Sequence, residues 1–169
     1  MIYCFTGDGK GKTSAALGIV VRSLLIDKKV LWVSWYKSNT WDISEKKLVE
    51  KFPDNLTMVW AGKGFFLKDK KSVVVNNSTI HDFDTPQGHR KSAEDALGII
   101  KSTGGGYDLI VMDEILNAVD DGLIREEELG VTLNFLNKSH VVLTGRGVTA
   151  EMIKICDLVT EVKKIKHPF

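Results

Sequence analysis

Short apolar runs alternate with longer segments of helical periodicity along this chain. The runs are typical of strands buried on both faces, and they cover residues 2–5, 29–36, 56–60, 109–112, 141–143 and 158–163. The longer segments repeat apolar positions at helical spacing over residues 13–27, 87–103, 125–137 and 150–156. Because such strands alternate with helices, the pattern predicts parallel pairing with right-handed crossovers. We therefore expect a doubly wound, mostly parallel α/β sheet in one domain.

The segment from residue 68 to residue 87 departs from this pattern. It contains a basic cluster, a short β-branched run, the turn-prone pair Asn76–Asn77 and a proline. We interpret it as an inserted β-hairpin or a mobile loop within the single domain that covers residues 1–169.

The composition agrees with one globular unit. The 169 residues are 43% hydrophobic and 27% charged, which excludes disordered and collagen-like classes. Lysine and arginine total 23 against 22 acidic residues, so the net charge is close to zero and does not favour nonspecific binding to nucleic acid or a membrane. The longest apolar stretch, residues 15–26, is interrupted by Arg22 and is too short to span a bilayer.

The amino terminus and the cysteines indicate the compartment. Residues 1–5 lack the basic region and cleavage site of a signal peptide, so we expect a cytoplasmic protein. Cys4 and Cys156 are isolated thiols, which in the cytosol are typically reduced and inert. We assign no chemistry to them.

A glycine-rich loop stands directly between the first predicted strand and the first predicted helix. Its residues are Gly7, Asp8, Gly9, Lys10, Gly11, Lys12 and Thr13. Glycines let backbone N–H groups turn towards a phosphate, Lys12 supplies a cation, and the Thr13 hydroxyl can bind Mg²⁺. The usual pattern has a glycine where this chain has Thr6, so the loop is either degenerate or one residue shorter. The motif and the alternation together predict a P-loop NTPase-like, RecA-like domain.

A pair of carboxylates at the end of a predicted strand is the second signal. Residues 108–114 read DLIVMDE, so Asp113 and Glu114 directly follow an apolar run. Ligands of parallel sheets bind at the carboxyl ends of strands, where either carboxylate could hold Mg²⁺. An apolar strand that ends in two acids is common by itself, but the phosphate loop at the same predicted edge favours a metal site.

Arg146 belongs to a third motif at this edge. The sequence TGRG at residues 144–147 follows another apolar strand, and an arginine between glycines can form forked hydrogen bonds with phosphate or ribose oxygens. A surface turn with a solvated arginine is the alternative. His81 and His89 lack partners at ligand spacing, so we expect no zinc site.

These motifs together resemble one known family. In chain order, FTGDGKGKT, KVLWVSWYK, GKGF, YDLIVMDEILNAVDDGLI, HVVLTGRG and DLVTEVKKIKHPF are similar to the P-loop type of ATP:corrinoid adenosyltransferases. The resemblance covers nearly the whole chain except residues 68–87, and the family's short phosphate loop leaves Thr6 outside the motif. It implies a homodimeric α/β enzyme that transfers the 5′-deoxyadenosyl group of ATP to the reduced cobalt of a corrinoid. Triphosphate is the leaving group, and a flavodoxin-like protein or a flavin is the implied electron donor.

The resemblance also implies which residues bind nucleotide. The loop from Gly7 to Thr13 would cradle phosphates, together with Ser14, which stands where the family usually has a second threonine. Arg22 matches the arginine of the family's first helix, Lys37 a lysine after the second strand, and Arg146 the arginine of the TGRG turn. ATP is expected in an orientation reversed relative to ordinary P-loop NTPases.

Metal binding and catalysis are implied for the same edge of the sheet. Thr13 with Glu114, helped by Asp113, would hold Mg²⁺, and Lys12, Thr13 and Glu114 would be the catalytic residues. Cobalt(I) is itself a strong nucleophile, so the reaction demands no general base. Catalysis would consist of holding C5′ in line and neutralising the triphosphate.

The corrinoid half of the resemblance is where the chain departs from the family. Two family aromatics wall off the lower face of the corrin ring, and here the matching positions are Phe65 and Leu67. Leu67 would exclude water less fully than an aromatic ring. The segment 68–87 is also longer than usual, and we expect it to help close the corrin site.

Two further readings share the same motifs. One is a P-loop ATPase or kinase, and the other is a nucleotide-dependent module that binds corrinoids without modifying them. The product distinguishes them, because an adenosyltransferase releases inorganic triphosphate, an ATPase or kinase releases ADP, and a binding module releases neither.

Overall fold

The computed structural model describes residues 1–68, 70–75 and 78–166, and at Val75 only the backbone. Its strands and helices are, in chain order, β1 (Ile2–Thr6), α1 (Lys12–Leu24), β2 (Val30–Ser34), α2 (Lys47–Lys51), β3 (Leu56–Trp60), β4 (Ser72–Val75), β5 (Ser78–His81), α3 (Pro86–Thr103), β6 (Leu109–Asp113), α4 (Ile115–Asp120), α5 (Glu126–Phe135), β7 (His140–Thr144), α6 (Ala150–Ile155) and β8 (Leu158–Glu161). Short 3₁₀ turns span Ser44–Lys46 and Gly104–Gly106. Within these residues, none of the helices is long and apolar enough to cross a membrane.

Six strands form one sheet in the order β3-β2-β6-β7-β1-β8. Each neighbouring pair in this sheet is parallel. Parallel strands require crossover connections, which the helices provide. The predicted α/β fold with a doubly wound parallel sheet is confirmed, and it agrees with a P-loop NTPase-like domain.

Helices cover both faces of the sheet because strand side chains point alternately to the two sides. Val30 and Trp32 of β2 pack into the apolar cluster that contains α1, and Leu31 and Val33 pack into the cluster on the opposite face. That opposite layer holds buried side chains of α3, α4, α5 and α6. Every residue of β2 and β6 is buried, which explains why these strands read as continuous apolar runs.

The bounds of the helices differ slightly from those that the pattern predicts. Helix α1 ends at Leu24 rather than at Asp27, which adopts a left-handed backbone conformation with φ of 59°. Helix α3 begins after Thr85, whose side chain accepts a hydrogen bond from the Gly88 N–H at 3.0 Å. The periodicity does not predict α2 and α4, which have five and six residues and therefore too few turns to repeat a pattern.

Strands β4 and β5 lie outside the main sheet and pair with each other in antiparallel register. They form a hairpin within the segment that we interpreted as an inserted hairpin or a mobile loop. The turn-prone pair Asn76–Asn77 lies outside the described residues, as do residues 167–169 at the end of the DLVTEVKKIKHPF motif.

Candidate functional site

The carboxyl ends of the parallel strands bring the predicted motifs to one edge of the sheet. The glycine-rich loop follows β1, Lys37 follows β2, Glu114 follows β6 and Arg146 follows β7. Strand β1 includes Thr6, so the loop starts at Gly7 and has the shorter form. Loops at this edge are where parallel α/β sheets bind ligands.

The glycine-rich loop closes around the ammonium group of Lys12. Its Nζ donates hydrogen bonds to the carbonyl oxygens of Gly7 at 2.6 Å and Gly9 at 2.7 Å. The loop also packs against the chain after β8, because the Gly9 N–H donates to the Val162 carbonyl at 2.7 Å. A Cβ at Gly9 would lie 2.7 Å from that same carbonyl oxygen, so this close approach requires glycine.

The N-terminus of α1 faces the loop without a side-chain cap. Gly11 occupies the N-cap position, and no side chain in the described part of the chain accepts a hydrogen bond from the first turn. The first helical residues are Lys12, Thr13 and Ser14. Uncapped N–H groups at a helix N-terminus attract anions, and phosphate is a suitable partner for them.

Asp113 is fully buried and gathers hydrogen bonds from four side chains. The donors to Oδ1 are Thr13 Oγ1 at 3.1 Å and Thr144 Oγ1 at 2.9 Å. The donors to Oδ2 are Ser34 Oγ at 3.1 Å and Lys37 Nζ at 2.9 Å. Asp113 therefore ties four segments of the sheet edge together and orients the Thr13 hydroxyl.

Lys37 is held between two carboxylates. Its Nζ lies 2.9 Å from Asp113 and 3.1 Å from Glu45, and its side chain is 15% exposed. Burial opposes the charge on this ammonium, but Asp113 and Glu45 outweigh that effect and raise the pKa of Lys37. Lys37 is therefore a cation under all ordinary conditions and is fixed in place.

Glu114 presents a second carboxylate to the same region. Its backbone has φ of 65°, and its N–H donates to Thr144 Oγ1 at 2.8 Å. Burial, together with the neighbouring Asp113, raises the pKa of Glu114 to about 7. The ionised carboxylate is thus destabilised in the ligand-free protein, and a bound cation would stabilise it.

The phosphate-loop cavity lies between these groups and has a volume of about 330 Å³. It is lined by Lys12, Thr13, Tyr36, Glu114, Asn117, Asp120, Asp121, Thr144, Gly145 and Arg146. The pKa of Lys12 is lowered because its ammonium is partly buried and faces the Arg146 cation. Two cations that repel each other across a cavity favour the binding of an anion.

The turn that carries Arg146 is shaped by contact with α4. The Arg146 N–H donates to Asn117 Oδ1 at 2.6 Å. Gly145 has φ of 142°, and a Cβ there would lie 2.8 Å from the Asn117 backbone nitrogen. Glycine at this position therefore allows the turn to pack against α4, and the Arg146 side chain lines the cavity.

The aromatic cavity, of about 540 Å³, lies beyond the ends of β2 and β3. It is lined by Ser38, Thr40, Trp41, Lys63, Gly64, Phe65, Thr79, Ile80, His81 and Phe83. The Trp41 and Phe65 rings contact each other with centroids 5.2 Å apart. Tyr36 lines the phosphate-loop cavity and Ser38 lines the aromatic cavity, so the residues on either side of Lys37 face one cavity each.

Some of the predicted site residues remain apart from these cavities. Arg22 is exposed on α1, ten positions after Lys12 and so about 15 Å along the helix. It lines a separate surface cleft with Tyr3 and Leu25. Leu67 does not line the aromatic cavity, although Phe65 does. Asp8 lines an adjoining cleft with Arg146.

Several polar residues of the site were not predicted from the sequence. These are Ser34, Tyr36, Asn117, Asp120, Asp121 and Thr144. The Tyr36 hydroxyl donates to Asp121 Oδ2 at 2.5 Å, and burial with this hydrogen bond raises the pKa of Tyr36. Two of these polar residues could have been recognised, because Ser34 and Thr144 are polar residues that end apolar strands at the ligand-binding edge.

Thr13 and Glu114 line the phosphate-loop cavity with oxygen atoms that could hold a Mg²⁺ ion. Among the described residues, no group of three or more histidine, cysteine or acidic side chains forms a metal site. Mg²⁺ typically uses only one or two protein ligands beside phosphate oxygens and waters. Thr13 and Glu114 line the cavity and suit direct contact, whereas the buried Asp113, with both oxygens hydrogen-bonded, suits an orienting role.

Glu114→Gln is expected to stabilise the ligand-free protein above neutral pH. A carboxyl whose pKa rises from 4.5 to about 7 on folding adds stability below pH 4.5 that is lost as the pH rises through about 7. The amide resembles the protonated acid, so the free energy of unfolding at pH 8 should increase by on the order of 2 kcal/mol. Urea unfolding at pH 8 and pH 4.5 measures this. A gain at pH 8 that persists at pH 4.5, or that also occurs in the exposed-site control Glu50→Gln, would contradict the explanation.

Comparison with known proteins shows the family of this chain. The family model described as ATP:corrinoid adenosyltransferase BtuR/CobO/CobP matches residues 1–169. The corrinoid adenosyltransferase of Escherichia coli strain K12 is 28% identical over 170 residues, which cover 100% of this chain and 79% of that protein. CobA, the corrinoid adenosyltransferase of Salmonella typhimurium strain LT2, is 28% identical over 171 residues, again 79% of its length. An uncharacterized Nostoc protein is 31% identical over 179 residues, and the match spans 99% of this chain and 44% of the Nostoc protein. The chain therefore belongs to the ATP:corrinoid adenosyltransferase family, whose members are enzymes that adenosylate corrinoids with ATP.

Proposed function

We propose that this chain transfers the 5′-deoxyadenosyl group of ATP to the cobalt of a reduced corrinoid. A cobalt–carbon bond forms as the bond between C5′ and the triphosphate oxygen breaks, and the electron pair leaves with inorganic triphosphate. The observation that carries the proposal is that the carboxyl edge of the sheet holds both a cation-lined phosphate-loop cavity and an aromatic cavity. The first suits a polyphosphate and the second suits a large apolar ring.

The triphosphate of ATP is proposed to bind at the loop and the N-terminus of α1. The uncapped first turn of α1, with Thr13 and Ser14, offers backbone N–H groups, and Lys12 and Arg146 both line the cavity with cations. A phosphate between these two cations would relieve their mutual repulsion. Negative charge grows on the triphosphate as the C5′ bond breaks, so these groups stabilise the transition state more than the ground state.

Mg²⁺ is proposed to bind at Thr13 and Glu114. The Thr13 hydroxyl is oriented by Asp113, and Glu114 is a carboxylate held at the cavity wall. The ion, when bound, supplies charge neutralisation for the phosphates. Lys37 is assigned a role in fixing Asp113, because its ammonium is already paired with that carboxylate and with Glu45.

Nucleotide contact by Arg22 stays a separate proposal. Arg22 lies near the far end of α1 from the loop and would reach a nucleotide only outside the phosphate-loop cavity. An unchanged MgATP affinity in Arg22→Ala would remove it from the binding set.

The corrinoid is proposed to occupy the aromatic cavity beside Phe65 and Trp41. These aromatic rings can cover one side of a flat macrocycle and exclude water from it. Exclusion of water would favour the reaction, because a cobalt without a lower ligand is easier to reduce. Ser38 and Lys63 at the rim can contact polar side groups of the ring.

Incubation with MgATP and chemically reduced cobalamin tests the proposed function. We expect the absorbance spectrum of an alkylated cobalamin to appear, with one inorganic triphosphate released per cobalt. ADP should form very slowly with or without corrinoid, because a reversed ATP does not align its γ-phosphate with an attacking water. ADP formation that outpaces triphosphate would favour an ATPase or kinase, and corrinoid binding without either product would favour a binding module.

The assembly, electron donor and compartment are proposals of the same kind. A homodimer is proposed from the family resemblance, and sedimentation of the protein over a concentration series tests it. A flavodoxin-like protein or a free flavin is the proposed electron donor, and each can be supplied separately in place of the chemical reductant. The cytoplasm is the matching compartment, because ATP is abundant there.

A further inference from the structure

Phe83 is the most exposed aromatic residue of the aromatic cavity. Its side chain is 87% exposed, compared with 48% for Phe65, and both rings line the same space. The His81 ring lies beside Phe83 with centroids 5.6 Å apart, on the side of the cavity formed by the hairpin. The Trp41 and Phe65 pair lines the side formed by the loops after β2 and β3. Aromatic pairs from two separate segments therefore line one cavity.

The backbone on the amino side of Phe83 is fixed by a buried carboxylate. Asp82 is 7% exposed, and its Oδ1 lies 2.8 Å from His89 Nε2 on α3. The same carboxylate accepts the Asp84 N–H at 3.1 Å, and the Asp82 N–H donates to the Lys71 carbonyl at 2.9 Å. Burial opposes ionisation of Asp82, but hydrogen bonds from the Leu67 N–H and His89 outweigh it and lower its pKa.

The backbone on the carboxyl side of Phe83 is fixed as well. Thr85 caps α3, and the Thr85 N–H donates to Asp84 Oδ1 at 2.7 Å. The Phe83 ring is therefore 87% exposed on a backbone that is held on both sides. A fixed backbone limits the positions that this ring can reach, which reduces the ordering needed when a ligand contacts it.

Leu67 is hydrogen-bonded to Asp82 but does not line the aromatic cavity. Its N–H donates to Asp82 Oδ2 at 3.0 Å, so the turn from Gly62 to Leu67 is anchored to the residue before Phe83. Phe66, next to Leu67, packs against the His89 ring with centroids 5.0 Å apart. Asp82 thus links the segment of Phe65 and Leu67 to Phe83, and of these three residues Phe65 and Phe83 line the aromatic cavity.

We propose that Phe83 is a corrinoid-binding residue that forms an apolar wall together with Phe65, and that Asp82 and His89 are its positioning residues. The inference rests on the proposed function, because the occupant is the flat face of a corrin ring. Phe83 contacts the ring and excludes water from the cobalt, and the Asp82–His89 pair holds the wall at a fixed distance from Phe65.

Binding of cobalt(II) cobalamin in the presence of MgATP tests this inference. The affinity and the four-coordinate fraction are measured by absorption and electron paramagnetic resonance in wild type, Phe83→Ala, Phe83→Trp and Leu67→Ala. Loss of an aromatic contact should weaken cobalamin binding about tenfold and reduce the four-coordinate fraction in Phe83→Ala. Phe83→Trp should keep or increase that fraction, and Leu67→Ala should change it less than Phe83→Ala does.

The controls separate a local effect from a general one. Val74→Ala, at a 69% exposed position of the hairpin, and Phe135→Ala, at a 60% exposed position of α5, should leave cobalamin binding unchanged. MgATP affinity should be that of wild type in all of these variants. Asp82→Asn should lower the four-coordinate fraction while MgATP binding persists, which a loss of folding would not produce.

The outcomes that overturn the inference differ from those that overturn the function. Wild-type cobalamin affinity and spectrum in Phe83→Ala would remove Phe83 from the site while the proposed function stands. A larger loss in Leu67→Ala than in Phe83→Ala would assign the wall to Leu67 instead. A wild-type protein that binds MgATP but no corrinoid would overturn both proposals.

Discussion

Lys12→Met is expected to reduce the affinity for MgATP at least about a hundredfold, since charged hydrogen bonds contribute roughly 1.5–3 kcal/mol each. The Lys12 ammonium is held by the carbonyl oxygens of Gly7 and Gly9, at the centre of the loop. A phosphate that enters the loop therefore meets a cation that is already positioned. Methionine keeps most of the aliphatic stem and removes only the charge and its hydrogen bonds.

Calorimetric titration with MgATP measures the effect. Lys101→Met, at an exposed position in the last turn of α3, removes the same charge away from the cavities and should bind MgATP as wild type does. A thermal unfolding curve shows whether Lys12→Met remains folded. If that variant binds MgATP as tightly as wild type, the loop is not the phosphate site and the nucleotide half of the proposed function fails.

The sheet and the phosphate loop could be predicted because local patterns determine them. Strands such as β2 and β6 are buried on both faces, so nearly every position is apolar and the run is visible without any partner. The loop after β1 needs glycine where the Val162 carbonyl approaches, and Lys12 and Thr13 follow at the start of a helix. The apolar runs and the lysine and threonine at the helix start lie within a few residues and are visible in a single sequence, whereas the Val162 contact that requires Gly9 is long-range.

The network around Asp113 could not be predicted in the same way. Its four donors come from α1, β2, β7 and the segment after β2, which meet only when the strand order is known. The carboxylate pair at the end of β6 indicates a site, but not which acid faces the cavity. The geometry separates them, because Asp113 is fully buried while Glu114 lines the cavity.

The residues that line the aromatic cavity could not be identified by matching neighbouring positions along the chain. Sequence comparison of neighbouring positions pairs Phe65 with Leu67, because they are two residues apart. In the fold, the hairpin returns the chain to this place, and Phe83 rather than Leu67 lines the cavity with Phe65. The Asp82–His89 contact that holds this segment joins the residue after β5 to α3, and no sequence pattern indicates it.

Asp113→Asn is expected to lower the free energy of unfolding by about 3 kcal/mol, the scale for breaking one side of a buried ion pair. An amide has one oxygen, so its NH₂ group must face either Thr13 and Thr144 or Ser34 and Lys37. All four of these groups donate to the carboxylate in the native protein. The threonine and serine hydroxyls can turn to accept from the NH₂ group, but the Lys37 ammonium cannot, so the substitution replaces its ionised partner by a neutral oxygen in a fully buried position.

The charge of Lys37 is the main source of this cost, and a second substitution isolates it. In Asp113→Asn the Lys37 ammonium keeps only Glu45 as an ionised partner. Adding Lys37→Met removes that ammonium, so the double variant should recover part of the lost stability. Urea unfolding of wild type, both single variants and the double variant measures the coupling. Asp95→Asn, which removes one side of an exposed ion pair with Lys91, is the matched control and should lower stability by only about 0.5 kcal/mol. An Asp113→Asn variant that unfolds at the same urea concentration as wild type would show that the network does not stabilise the sheet edge, and the assignment of Asp113 as the residue that orients Thr13 would fall with it.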